Sequence, residues 1–193
     1  RWLAGEALEA ARTRGTYRLL DVGCGQKPYR PLFTPAADPY VGVDPVENPH
    51  AELTGFVEEL PVDDASFDVV LCIQVLEHCD DPARAVAELG RVTAPGGRVL
   101  LSTHGVMAYH PSPADYWRWT HAGLEKLFRD NASWASVRVT PASGTTACLG
   151  MITSLYLDST GGSVQGAMAV GRVVNEIKIR TYVTTPNARC MQP

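Results

Sequence analysis

The chain has 193 residues, of which 45% are hydrophobic and 20% are charged, a composition typical of a globular domain that can bury a sizeable core. Its formal net charge of −4 and its lack of a basic run argue against nucleic acid as the main partner, because few groups are present to neutralise phosphates. The five cysteines form neither a CxxC pair nor a metal-ligand spacing with histidine, so we expect reduced thiols, no metal site and a cytoplasmic location. We also expect no membrane span and no signal peptide, because no apolar run is long enough.

Apolar residues recur at helical spacing near the N-terminus and predict an amphipathic helix with an apolar face comprising Leu3, Ala7, Leu8 and Ala11. Residues 17–22 then predict a strand, and the Gly-Cys-Gly sequence at 23–25 predicts the turn that follows it. Three prolines lie between residues 28 and 35, so any helix there is expected to be short or interrupted. A second strand is predicted over 40–44 and a weaker third strand within 53–61.

Strand and helix alternate through the middle of the chain. Residues 67–73 form a near-continuous apolar run of the kind that is buried in a parallel sheet. Asp81 and Pro82 are good N-cap and first-turn residues for a helix whose apolar face comprises Ala85, Val86, Leu89 and Val92. Residues 95–97 (Pro-Gly-Gly) are expected to end that helix before another strand over 98–102. The alternation predicts an α/β fold, Rossmann-like and doubly wound, with a mostly parallel sheet and helices on both faces.

The second half of the chain is different in kind. Residues 104–120 are rich in aromatic, histidine and proline residues and follow a strand end, which is typical of a substrate-facing loop. A helix around Leu124, Leu127 and Phe128, a strand over 134–140, a helix near 164–178 and a final strand near 187–191 are expected next. We predict a single domain over 1–193, in which 147–180 is a candidate lid or dimer segment or simply fills the core.

Two acidic residues lie at the ends of neighbouring predicted strands. Asp21 ends the first strand and precedes the glycine turn, and Asp44 ends the second strand. In an open α/β sheet such residues build a nucleoside-binding crevice at the carboxyl ends of adjacent strands. The glycines let the backbone approach a ligand closely, and the second acid can hold both hydroxyls of a ribose. A dinucleotide fold has a third glycine where this chain has Pro28, which disfavours a nicotinamide cofactor.

Five segments then follow one another in a recognisable order: residues 19–25 (Leu-Leu-Asp-Val-Gly-Cys-Gly), 41–44 (Val-Gly-Val-Asp), 59–70 (Glu-Leu-Pro-Val-Asp-Asp-Ala-Ser-Phe-Asp-Val-Val), 74–78 (Gln-Val-Leu-Glu-His) and 95–102 (Pro-Gly-Gly-Arg-Val-Leu-Leu-Ser). Together they resemble the class I S-adenosylmethionine-dependent methyltransferases, in particular the methyltransferase type 11 group. The resemblance covers residues 17–103 and implies that this range is a cofactor-binding core. It implies S-adenosyl-L-methionine as the cofactor and S-adenosyl-L-homocysteine as the product.

The resemblance also implies a role for each matching position. Asp21 and the turn after it surround the methionine end of the cofactor, and Asp44 accepts hydrogen bonds from both ribose hydroxyls. The other implied cofactor contacts are Gly23, Cys24, Gly25, Pro45, Val57, Glu58, Ile73 and Gln74. Relatives carry an acid for the adenine amino group where this chain has Phe56. Either Phe56 stacks on the base, or Glu58 substitutes for the acid, or the alignment shifts by one position.

Methyl transfer from a sulfonium is an in-line displacement that requires no metal but often requires a base for the proton of the acceptor. The candidate bases are His78, His104 and His110. For His78 the alternative is a structural hydrogen bond to a loop backbone.

The candidate acceptor-binding residues are Tyr29, Tyr109, Asp115, Tyr116 and Arg118. Residues 110–120 resemble a His-Pro…Asp-Tyr-Trp-Arg segment found in a subset of the family. For this segment the alternative is a structural clamp in which Asp115 pairs with Arg118.

The sequence therefore predicts a methyltransferase that acts on an oxygen or nitrogen of a small-molecule acceptor, such as a glycan, a lipid-linked sugar or a secondary metabolite. The protein is expected to be a monomer or a homodimer. Two alternatives stay open. One is a non-catalytic S-adenosylmethionine-binding or scaffolding protein, which Phe56 favours, and the other is an NAD-dependent oxidoreductase, which Pro28 disfavours.

Overall fold

The computed structural model of this chain describes residues 2–34, 36–107, 109 and 112–142. The predictions for His110, for 147–180, for the helix near 164–178 and for the strand near 187–191 lie outside these residues. Among the residues described, no helix combines the length and the apolar character needed to cross a membrane.

Among the described residues, five parallel strands form the sheet that carries the candidate site. Their bounds are β1 (Tyr17–Val22), β2 (Ala37–Asp44), β3 (Leu53–Thr54), β4 (Phe67–Ile73) and β5 (Thr93–Ser102). The spatial order is β3-β2-β1-β4-β5, so the chain runs outward from β1 to one edge and then crosses to the other side of β1. All four pairings are parallel, as predicted. A crevice forms at the carboxyl ends of the strands where such a chain changes direction, here between β1 and β4.

In the part of the chain that the structure describes, four helices cover the sheet: α1 (Trp2–Arg14), α2 (Arg30–Phe33), α3 (Pro82–Val92) and α4 (His121–Asn131), with a short 3-10 helix at Leu76–His78. Since successive strand residues point to opposite faces, β1 contributes to two separate cores. Leu19 packs with α1 and α2, whereas Leu20 packs with α3 and α4. Helices therefore lie on both faces, which confirms the predicted fold class.

The apolar face predicted for α1 is partly wrong. The helix buries Ala7 and Ala10, while Leu8 is 72% exposed. An α-helix turns by about 100° per residue, so Leu8 points well away from a stripe that runs through Leu3, Ala7 and Ala10. The interrupted helix expected among the prolines is confirmed, because α2 has only four residues.

Two other local predictions also need correction. The helix α3 ends at Val92, before the Pro-Gly-Gly sequence, and β5 already begins at Thr93. No strand forms over 134–140. Trp134 and Val137 are instead half-buried against the α3 and α4 core, and the Trp134 indole N–H donates to the backbone oxygen of Phe128 at 3.0 Å.

The N-cap of α3 provides the first testable prediction. The Asp81 carboxylate accepts hydrogen bonds of 3.1 Å from the N–H groups of Ala83 and Arg84. Asp81→Ala should therefore lower the free energy of unfolding by about 1 kcal/mol, measured by urea denaturation. Asp80→Ala, which changes the neighbouring exposed acid, is the matched control and should stay within about 0.5 kcal/mol of wild type. Equal losses in both variants would contradict the capping role.

Candidate functional site

The glycine turn after β1 is held against β2 and against the segment after β4. The N–H groups of Gly23 and Cys24 both donate to the backbone oxygen of Val43, at 2.8 and 3.1 Å. Gly23 has a φ of 67°, and a Cβ atom there would collide with the side chain of Val75. A side chain at Gly23 is therefore excluded by both conformation and space. Burial raises the pKa of the Cys24 thiol to about 11, so this side chain is a protonated packing group at neutral pH.

Asp44 joins the end of β2 to this turn. Its Oδ2 accepts hydrogen bonds of 3.0 Å from the N–H of Gly25 and from the side-chain amide of Asn48. The same amide donates to the backbone oxygen of Gly25 at 2.7 Å. Both contacts use Oδ2, and the described residues provide no hydrogen bond to Oδ1. Sequence reasoning missed Asn48, for which the only signal was an Asn-Pro dipeptide shortly after the strand.

Asp21 is buried beneath the turn and bound by a tyrosine from β2. It is only 2% exposed, and the hydroxyl of Tyr40 donates to its Oδ2 at 2.6 Å. Burial raises the pKa of Asp21 to about 6, and the opposing effects of the Tyr40 hydrogen bond and the Lys27 charge do not cancel this rise. Ionisation of Asp21 thus costs free energy in the absence of a ligand, and a cationic group on a ligand would favour the ionised form.

The buried side chain of Lys27 forms an ion pair that the sequence pattern does not predict. Its ammonium group contacts the carboxylate of Glu52 and lies 5.6 Å from the centre of the Tyr40 ring. Glu52 also accepts a hydrogen bond of 2.6 Å from the N–H of Gly42. Burial raises the pKa of Glu52, but the hydrogen bonds from Lys27 and Gly42 outweigh it and lower the pKa overall. The pair ties the segment after the turn to the segment after β2.

An open pocket of about 490 Å³ lies beside this ion pair. Its lining includes Lys27, Arg30, His50 and Glu52, and none of the residues predicted to bind the cofactor. We therefore place the candidate site at the carboxyl ends of β1, β2 and β4, where the glycine turn and the strand-end acids converge.

Phe56 lies close to the end of β2, because the N–H of the preceding Gly55 donates to the backbone oxygen of Asp44 at 3.0 Å. Its ring is 64% exposed. Glu58 is engaged elsewhere, since its Oε1 accepts hydrogen bonds from the N–H groups of Asp80 and Asp81 at 2.9 and 3.5 Å. Of the three alternatives for the adenine end, this arrangement favours stacking on Phe56. Of the remaining predicted contacts, Val57 is buried, Ile73 is half-buried and Pro45 is exposed.

Gln74 links the ends of β4 and β5. Its N–H donates to the backbone oxygen of Ser102 at 2.9 Å, and its side-chain amide donates to the hydroxyl of Ser102 at 3.0 Å. The φ of Gln74 is 59°, a left-handed conformation that costs a non-glycine residue about 1 kcal/mol or more. Such conformations persist where the surrounding structure imposes them, often beside a ligand site.

His78 contacts the loop of residues 112–119 through its ring. Its Nδ1 lies 2.8 Å from the backbone oxygen of Ala114. Because a carbonyl oxygen only accepts, the proton belongs on Nδ1 in the neutral ring, and the lone pair is then on Nε2. The structural hydrogen bond considered as the alternative for His78 is present, and it also selects the tautomer that a base would need.

Both ring nitrogens of His104 face buried carboxylates. Nε2 lies 3.2 Å from Oε1 of Glu77, and Nδ1 lies 3.9 Å from Oδ1 of Asp115. Asp115 is in turn held by two hydrogen bonds from Arg118, at 2.5 and 2.6 Å. The orientation of His104 favours a positioning role over proton transfer with an external acceptor. Glu77 belongs to the Gln-Val-Leu-Glu-His segment, but sequence reasoning assigned it no role.

The aromatic side chains of the loop are partly exposed. Tyr109 and Tyr116 are exposed, and so is Trp117, whose indole N–H donates to the backbone oxygen of Cys79 at 2.7 Å. The rings of Trp117 and Trp119 stack with centroids 5.7 Å apart. Tyr29 lies apart from this group and packs near α1, where burial and the Asp21 carboxylate raise its pKa. Within the part of the chain that the structure describes, no cluster of His, Cys, Asp and Glu residues could hold a metal ion.

Comparison with known proteins adds a family match. Residues 3–134 match the family described as "Methyltransferase domain". The chain is 32% identical over 116 residues to the protein named "Uncharacterized methyltransferase YcgJ" of Bacillus subtilis. The matched region covers 52% of this chain and 46% of that protein. The chain spans about half the length of the curated relatives it matches.

Solved structures show the same fold. The crystal structure of YcgJ from B. subtilis gives a TM-score of 0.56 with 24% identity and covers 67% of each chain. The 1,6-didemethyltoxoflavin-N1-methyltransferase of Burkholderia thailandensis, solved with 1,6-didemethyltoxoflavin and S-adenosylhomocysteine bound, gives a TM-score of 0.54 with 21% identity. That comparison covers 67% of this chain and 66% of the other.

Asp21 provides a prediction about stability and pH. Its folded-state pKa of about 6 lies above the ordinary value of 3.8, so the folded protein holds more protons than the unfolded chain between these values. The contribution of Asp21 to stability therefore falls as the pH rises through this window, by about 2–3 kcal/mol in total. Asp21→Asn, which keeps an acceptor for Tyr40, should be more stable than wild type near pH 7.5.

The measurement is urea denaturation of both proteins at several pH values. The stability difference should shrink to near zero below about pH 3, where Asp21 is protonated in the folded and unfolded states alike. Asp68→Asn serves as the control of opposite sign, because the hydrogen bond from Arg18 lowers the pKa of Asp68. A wild-type protein that is as stable as Asp21→Asn at all pH values would show that Asp21 is not strained.

Proposed function

The chain belongs to the class I S-adenosylmethionine-dependent methyltransferases, as the resemblance predicted, and on this premise we propose that it methylates an oxygen or nitrogen of a small-molecule acceptor. The observation that carries the proposal is the convergence of Asp21, the Gly23–Gly25 turn and Asp44 at adjacent strand ends. An acceptor other than nucleic acid remains part of the proposal, supported by the net charge of −4. A cytoplasmic location is also part of it, supported by five cysteines that show neither a CxxC pair nor a metal-ligand spacing.

The residues present fit the cofactor. A Cβ atom at Gly25 would project into open space, so the turn leaves room for a ligand beside this residue. Among the described residues, Asp44 binds its neighbours through Oδ2 alone, so Oδ1 can accept from a ribose hydroxyl. Asp21 offers a buried carboxylate whose ionisation the methionine ammonium would favour. The exposed ring of Phe56 offers a stacking surface for the adenine. When bound, the cofactor supplies a methyl group on a sulfonium, already activated for displacement.

The chain's own residues then orient the acceptor and receive its proton. We assign the acceptor to the loop of residues 112–119, where Tyr116 and Trp117 offer flat, partly exposed rings. Catalysis of this kind depends on holding the nucleophile about 3 Å from the methyl carbon in a site that excludes water. His78, with the tautomer imposed by Ala114, is the described histidine best suited to accept the proton at Nε2.

The acceptor is proposed from this chemistry and from relatives. The Burkholderia enzyme methylates a small molecule at nitrogen according to its name, and its likeness to this chain is one of fold. Glycans, lipid-linked sugars and secondary metabolites all present a ring that can lie on a tyrosine or tryptophan face. An O- or N-acceptor suits a histidine base, because either atom releases a proton when it is methylated.

A second candidate is a protein that binds the cofactor without catalysis. Phe56 favours it, because the usual contact to the adenine amino group is missing.

An NAD-dependent oxidoreductase is less compatible with the structure. The helix α2 that follows the glycine turn has only four residues and begins at Arg30, so there is no long helix whose N-terminus could face a pyrophosphate.

Asp44→Ala tests the cofactor site. The variant should bind S-adenosylhomocysteine about 10- to 100-fold more weakly in calorimetry, because hydrogen bonds to a charged acceptor contribute about 1.5–3 kcal/mol. Glu47→Ala removes an exposed acid three residues away and should bind like wild type. Wild-type protein that binds NADH but not S-adenosylhomocysteine would overturn the proposal.

His78→Gln tests the base. Screening a cell extract with methyl-labelled cofactor first identifies an acceptor. With that acceptor, His78→Gln should reduce kcat by about 100-fold or more, the usual contribution of a general base, and should leave S-adenosylhomocysteine binding unchanged. Unaltered kcat would exclude His78 as the base, and the absence of any labelled product with intact cofactor binding would favour the non-catalytic alternative.

A further inference from the structure

Glu77 is a fully buried carboxylate that the proposed chemistry does not use. It lies in the short 3-10 helix after β4, and its side chain is 0% exposed. Oε2 accepts a hydrogen bond of 2.8 Å from the hydroxyl of Thr103. Oε1 has no well-aligned donor and lies 3.2 Å from Nε2 of His104. A carboxylate is expensive to bury and is often replaceable by an apolar residue when its only task is to fill space.

The ionisable groups around Glu77 lie in a row. His104 lies between Glu77 and Asp115, and Asp115 is bound by Arg118. A carboxylate has no proton to donate, so a lone pair on Nε2 of His104 would be repelled by Oε1 of Glu77 at 3.2 Å. The contact therefore favours the form of the ring that carries a proton on Nε2.

The same residues also hold backbone segments together. The N–H groups of Tyr116 and Trp117 donate to the backbone oxygen of Glu77, at 2.8 and 3.3 Å. The N–H of Trp119 donates to the backbone oxygen of His104 at 2.9 Å. Glu77 and His104 thus each also bind the loop through their backbone oxygen.

We propose that Glu77 is a positioning residue that acts through His104 to hold the loop of residues 112–119 in one place over the segment after β4. The inference rests on the proposed function in one respect, which is that this loop is assigned to binding the acceptor. A neutral residue of the same size would fill the space and could keep the Thr103 contact, but it would not impose the Nε2 proton on His104. Without that proton the ring loses its orientation, and the loop loses the anchor for its Trp119 end.

Glu77→Gln and His104→Gln, alone and combined in the full chain, test the proposal by hydrogen exchange. In each single variant the amides of Tyr116, Trp117 and Trp119 should exchange about tenfold faster relative to the amide of Val70 in β4. The double variant should exchange no faster than the singles, because both remove the same interaction and their effects are not additive. Wild-type exchange rates in Glu77→Gln, or additive effects in the double variant, would overturn the proposal.

Glu88→Gln is the matched control. Glu88 is a half-buried acid on α3 that pairs with Arg91, so its loss weakens packing on the same face of the sheet without contacting the loop. Loop exchange relative to Val70 should stay at the wild-type rate. Faster loop exchange in this variant would mean that the loop responds to any loss of stability, which would overturn the proposal. Thr103→Val provides a milder variant if Glu77→Gln does not fold, and it should loosen the same three amides.

The protonation of the His104 ring nitrogens can also be measured, and loss of packing alone would not change it. Nitrogen-15 spectra of the wild-type protein should show a protonated Nε2 at His104, assigned by comparison with His104→Gln. In Glu77→Gln the Nε2 signal should move towards the value of an unprotonated ring nitrogen, and an unchanged signal would contradict the proposal. Calorimetry with S-adenosylhomocysteine on the same samples separates the two questions. If wild type fails to bind it, the proposed function fails, whereas the exchange and ring measurements still decide the role of Glu77.

Discussion

Parallel pairing of β1 with both β2 and β4 is the constraint on which the candidate site depends. Asp21 is registered opposite Gly42 on one side and Leu71 on the other, so the three strands deliver their carboxyl ends to one edge. The turn after β1 can then donate to the backbone of β2 and touch the segment after β4. Gly23 is required at this contact, because the side chain of Val75 leaves no room for a Cβ atom.

Two buried carboxylates flank this edge, and they are accommodated differently. Asp21 receives a hydroxyl from Tyr40 but keeps a raised pKa, so it is a source of strain in the absence of a cationic ligand group. Glu77 accepts a hydrogen bond from the Thr103 hydroxyl and faces His104, which places it in a row of ionisable groups that reaches the loop of residues 112–119. Replacing Asp21 by a neutral residue should stabilise the folded protein at neutral pH, and a destabilising residue of this kind is typical of functional sites.

The elements with strong local signals were predicted well. The strands around Leu20 and Val70 and the capped helix α3 follow from apolar runs, proline and an N-cap acid, all of which act over a few residues. Predictions failed where a local pattern had two explanations. Leu8 matches the spacing of a buried stripe but lies beyond its edge, and the segment 134–140 packs Trp134 against the core rather than forming a sheet ladder.

The sequence by itself determined the fold class, the glycine turn and the strand-end acids Asp21 and Asp44, because hydrophobic periodicity and glycine conformation are properties of short segments. Only the tertiary structure decided which side chains meet. It joined Tyr40 to Asp21, Lys27 to Glu52, and His104 to Glu77. These partners lie far apart in the chain, and their contacts depend on the direction in which packed strands and loops aim each side chain. No spacing rule within one segment contains that information.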